Sequence, residues 1–65
     1  MELMAMRYEN KKATVKQVSD TFVVEMYDGA RFVGSLRTMI LDEAKSVADN
    51  YVMTGSQPQF LSEHA

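Results

Sequence analysis

The chain has no cysteine and no tryptophan, and only one proline and one histidine in 65 residues. Without cysteine there is no disulfide framework and no thiolate metal site. The single histidine, His64, is the penultimate residue, so no histidine-based ligand set or nucleophile–base pair can be assembled around it. No cofactor, metal or catalytic residue is therefore expected. Long apolar runs are missing too: nothing approaches the ~18 residues that span a bilayer. The opening Met1-Glu-Leu-Met-Ala-Met6 is short and has no basic flank, so it does not read as a signal peptide. These absences favour a cytoplasmic setting and no membrane partner.

Charge of one sign is also scarce. Seven basic and nine acidic residues give a formal charge of -2, a balance that favours neither nucleic acid nor membrane. At this length the chain reads as one small domain, 1–65, whose hydrophobic gain barely exceeds the entropy lost on folding. Self-association, or docking on a larger protein, would supply extra stability. Three of the six methionines fall in the first six residues. Residues 1–5 and 62–65 are expected to be flexible ends, with Met4 or Met6 as alternative starts.

What is present is a strand pattern. Turn signals fall at Ser19-Asp20, Asp28-Gly29 and Gly55-Ser56 with Pro58. Between the first two lies Thr21-Phe-Val-Val-Glu-Met-Tyr27, rich in β-branched and aromatic residues. Lys12–Val18 before it and Ala30–Arg37 after it alternate in polarity. The expected fold class is α+β: a three-stranded antiparallel meander, then one helix packed on one face.

Register follows from which pairing gathers the apolar side chains. A two-residue Asp28-Gly29 loop scatters them over both faces. A three-residue Tyr27-Asp28-Gly29 loop, with Gly29 left-handed, sets Met26 opposite Ala30, Val24 opposite Phe32 and Phe22 opposite Gly34. It also sets Glu25 opposite Arg31, a favourable cross-strand pair. A one-residue slip would flip every side chain, so the three-residue loop is the expectation. The Ser19-Asp20 hairpin sets Val15 opposite Val24 and Ala13 opposite Met26. The expected core face is Ala13, Val15, Phe22, Val24, Met26, Ala30, Phe32 and Leu36.

From Ile40 to Thr54, Leu41, Ala44, Val47, Ala48, Tyr51 and Val52 recur at helical spacing and form one apolar stripe. Asp42 and Glu43 suit the first turn of a helix, and Gly55 suits a left-handed cap. Phe60 and Leu61 in the tail are expected to pack on the core edge or in a dimer.

The pattern supplies surfaces rather than chemistry. The outer sheet face should carry Thr14, Lys16, Val18, Thr21, Val23, Glu25, Arg31, Val33 and Ser35. Its valines, rimmed by charge, suggest a contact surface, with Lys16, Val23, Glu25, Arg31 and Val33 as the partner-binding residues. A basic cluster, Arg7, Lys11, Lys12 and Lys16, raises a sheet-face nucleic-acid binder as the alternative. Against it stand the negative charge, Glu25 among the cations, and no exposed aromatic on that face for stacking. The unpaired edges of the meander are a third candidate, for a second copy or a target strand.

The run Phe22 to Leu36, followed by a helix opening Leu41-Asp-Glu-Ala44 with Ala48 one turn on, resembles small acidic accessory proteins encoded by bacteriophages. Some early podophage proteins of this look bind and inhibit host RNA polymerase. The resemblance implies a non-enzymatic module acting on a host protein in the host cytoplasm. It carries no functional residue across.

Overall fold

Three reversals spaced ten residues apart lay out the chain. Residues 9–10, 19–20 and 29–30 are tight turns, and the first residue of each has positive φ: Glu9 at 56°, Ser19 at 58° and Gly29 at 65°. Positive φ in a two-residue loop matches the right-handed twist of the flanking strands. Only Gly29 adopts it without steric cost.

The computed structural model describes residues 1–55. The turns join four strands: β1 (Glu2–Tyr8), β2 (Lys11–Val18), β3 (Thr21–Asp28) and β4 (Arg31–Thr38). They form one antiparallel sheet in the order β1-β2-β3-β4, followed by α1 (Leu41–Thr54). The α+β class and the helix match expectation; the strand count does not. The segment expected to fray is β1, which pairs Met4 with Val15 and Met6 with Ala13. Gln17 N–H also donates to Met1 O at 2.7 Å. The gain is coverage: Leu3, Met4 and Met6 all pack against the core.

β2 and β3 pair as the sequence implied, Val15 with Val24 and Ala13 with Met26. The third turn does not. Its loop is Gly29-Ala30, closed by Asp28 opposite Arg31, with Tyr27 opposite Phe32. The register then shifts, so that Met26 faces Gly34 and Val24 faces Leu36. Val33 is the extra residue of a β-bulge in β4. The bulge lets two successive apolar residues take opposite duties. Val33 packs on the core, while Phe32 turns outward and is 49% exposed. A matching bulge in β1 makes Leu3 the extra residue there. Bulges bend an edge strand and interrupt its ladder.

The core is Ala13, Val15, Val24 and Met26 from the sheet against Ala44, Ala48, Tyr51 and Val52 from the helix. Phe22 is partly buried beside them. Ala30 and Phe32 do not join them; Ala30 is exposed in the turn. Leu41 and Val47 complete the helical stripe less fully, with Leu41 exposed and Val47 partly buried. Each large apolar side chain fully withdrawn from water contributes roughly 1.5–3 kcal/mol.

Helix entry is held by Thr38. Its hydroxyl accepts from Ile40 N–H at 3.1 Å and donates to Glu43 Oε1. At the exit Gly55 takes φ 79° and its N–H caps Tyr51 O. No helix among the described residues is long and apolar enough to cross a membrane. The tail residues Phe60 and Leu61, residues 62–65 (expected to be flexible) and the expected Gly55-Ser56 turn with Pro58 lie wholly or partly outside the described residues.

Candidate functional site on the outer sheet face

One face of the sheet is occupied by the helix, and the other is left uncovered by it. Cross-strand pairing arranges it in rows. Arg7, Lys12, Tyr27 and Phe32 form the row nearest the first and third turns. Ala5, Thr14, Glu25 and Ser35 form the next. Glu2, Lys16, Val23 and Arg37 form the third.

The first row is unusual. Arg7 and Lys12 stand directly opposite one another, and like charges in that position repel. Lys12 Nζ lies 5.3 Å from the Tyr27 ring centroid, a cation–π contact. Tyr27 and Phe32 meet edge to face, centroids 5.6 Å apart at 64°. Beside this row, Arg7, Asn10, Lys12 and Gly29 line a small cavity of about 150 Å³. It forms because the first and third turns are tied together, Gly29 N–H donating to Asn10 O at 2.7 Å.

The second row is low. Ala5, Thr14 and Ser35 are small, and Glu25 is drawn aside. Its Oε1 takes the Lys16 ammonium at 2.9 Å and a hydrogen bond from the Tyr27 hydroxyl at 3.3 Å. That pairing raises the pKa of Lys16, first through the hydrogen bond and then through the charge of Glu25. Tyr27 is also raised, chiefly by burial and then by Glu25. At the centre of the row Thr14 is only 5% exposed, and its Oγ1 is buried without a hydrogen-bond partner among the described residues.

Of the five residues expected to bind a partner, the structure brings Lys16, Val23 and Glu25 together on this face. It removes the other two. Val33 is turned inward by the bulge. Arg31 pairs with Asp28 at the third turn, on the helix side, where both act on Tyr51. Sequence alternation set Tyr27 in a loop and Phe32 in the core, and named Arg7 only in the basic cluster, without placing it on this face. Arg7 lies on the unexpected β1, and Tyr27 and Phe32 were displaced by an expected loop that begins two residues before the observed one.

Charge is divided between the layers. The outer sheet face carries Arg7, Lys12, Lys16 and Arg37 against Glu2 and Glu25, while the helix exposes Asp42, Glu43 and Asp49 against Lys45. Lys16–Glu25 is the one ion pair among the described residues. Asp42, Lys45, Ser46 and Asp49 line an open depression of about 440 Å³ with Met6. Among the described residues no group of three or more His, Asp or Glu side chains is placed to hold a metal ion. No family model, curated protein or solved structure matches this chain.

Proposed function

We propose that this protein is a non-catalytic binding module that works through the outer face of its sheet. The row Arg7–Lys12–Tyr27–Phe32 carries the reading. A face shaped only for folding would set an acid opposite Arg7 and an inward ring at Phe32. Here two cations are opposed and an aromatic ring is half exposed, which costs stability that a bound partner can return. The resemblance to phage accessory proteins adds a setting, a phage-encoded module acting in the host cytoplasm.

Sheet edges are the other surface expected from sequence, for a second copy or a target strand. They are less favoured, because both edge strands carry a bulge that interrupts the ladder a new strand would extend.

The reading is tested on stability. Arg7→Glu turns the opposed pair into an attractive one and leaves Lys12 over Tyr27, so it should stabilise the fold by about 0.5–1 kcal/mol. Urea denaturation measures this. A clear loss of stability would show that Arg7 serves the fold and not a partner, and the reading would fall.

A further inference from the structure

We infer that the outer sheet face binds single-stranded nucleic acid, gripping phosphates with Arg7 and Lys12 and stacking a base on Phe32. The inference rests on reading that face as the contact surface. It adds the class of partner.

Three observations point the same way. The first is charge complementarity. Arg7, Lys12 and Arg37 have no carboxylate partner among the described residues, because the only ion pair there uses Lys16 and Glu25. The cavity between Arg7, Asn10, Lys12 and Gly29 contains two of these cations and no acid. The second is the aromatic platform beside it. Bases of any identity stack on exposed aromatic faces, and a positively charged groove tracks the backbone. Phe32 is half exposed, and Tyr27 supports it edge-on. The third is relief. The low row Ala5, Thr14 and Ser35 runs between the row of Arg7 and Lys12 and the row of Lys16 and Arg37. A strand lying along that row has cations on both sides. Glu25, the one acid in that row, is already held by Lys16 and Tyr27.

Sheet width separates single strands from duplex. Four strands spaced about 4.8 Å apart place the outer strands about 14 Å from each other. A major groove about 12 Å wide admits a two-stranded ribbon, so this face is too broad to enter it. The net charge of -2 is no obstacle, since the helix layer holds Asp42, Glu43 and Asp49 on the far side.

The test is fluorescence anisotropy with labelled 15-mers of dT and of U, and a 15-base-pair DNA duplex, in low salt. Saturable binding to one or both single strands, tighter than to duplex, is expected; the dT and U arms show which sugar is preferred. Three free cations predict a slope of log K against log salt of about -2, or about 20-fold weaker binding between 50 and 200 mM. Arg7→Glu should flatten that slope by at least ~0.7. Lys45→Glu changes the net charge equally but on the helix layer, and should leave binding unchanged. Phe32→Leu keeps an apolar side chain and removes the stacking face. It should weaken binding on the order of 5- to 150-fold with the slope preserved, while the far-UV spectrum confirms the fold. No saturable binding to dT or U, duplex bound more tightly, or Lys45→Glu as damaging as Arg7→Glu would each overturn the inference. If Arg7→Glu nonetheless stabilises the fold, the face still reads as a contact surface, and only its partner has been misassigned.

Discussion

The Tyr51 hydroxyl donates to the Tyr27 carbonyl at 2.9 Å, crossing from the helix to the third strand. Tyr51 is 2% exposed, the largest of the fully buried side chains at the core. The bond lands where the β3–β4 register shifts. It therefore anchors the backbone that carries Tyr27 outward, and links the helix to the proposed contact row.

Tyr51→Phe removes that donor and with it the part-buried side-chain hydrogen bond between helix and strand. Loss of about 1 kcal/mol is expected from chemical denaturation. A heteronuclear NMR spectrum should place the largest shifts at Tyr27, Phe32 and Val33. A variant as stable as the parent would mean the bond adds nothing net to the fold.

Thr14→Val keeps the shape and deletes a buried hydroxyl that has no partner among the described residues. Removing such a group should stabilise the chain by about 1–2 kcal/mol. If the midpoint of urea unfolding does not rise, the hydroxyl is satisfied in solution.

Ser19→Gly addresses the second turn. Ser19 sits at φ 58°, where a Cβ atom is strained and glycine is not. A gain of about 0.5–1 kcal/mol is expected, less than the full relief because glycine also loosens the unfolded chain. A thermal unfolding scan decides it, and a lowered midpoint would contradict the strained geometry.

Alkaline pH should destabilise the fold. Lys16, Tyr27 and Tyr51 all have raised pKa values: Lys16 through Glu25, and the two tyrosines first through burial. A raised folded-state value means the native chain holds its proton more tightly than the unfolded chain. The stability gained is full below the unfolded values near 10 and is lost as pH climbs through the folded ones. Stability should be flat from neutral pH to about 9 and fall beyond 10. The double variant Tyr27→Phe, Tyr51→Phe should show a shallower fall, and an unchanged slope would assign the loss elsewhere.

Much of this fold is visible in the sequence because period-2 alternation survives in β2 and β3. Val15 meets Val24, Ala13 meets Met26, and the stripe Ala44, Ala48, Tyr51 and Val52 faces them. The β3–β4 pairing went astray by four residues at Val24, which meets Leu36 and not Phe32. A shift of four keeps parity, so most faces came out right while the partners did not. The bulge at Val33 then broke parity locally and exchanged Phe32 for Val33. β1 escaped notice because Leu3 is an extra residue that spoils alternation, because methionine is a weak strand signal, and because Glu9-Asn10 turns without glycine. The same two bulges thus hid where two of the site residues stand, Arg7 on β1 and Phe32 on the outer face of β4.

The meander also governs how quickly the chain finds its shape. Each strand hydrogen-bonds only to its neighbours in sequence, through two-residue reversals at 9–10, 19–20 and 29–30. Closing such short loops requires little search, and hairpins of this kind zip in about 1–10 μs. The slow event is then the docking of the helix, which must cover β2 and β3 from beyond the end of β4. Ala44, Ala48 and Val52 form their contacts in that last step. Truncating them should mainly speed unfolding, whereas lesions at Val15 or Val24 should slow folding itself.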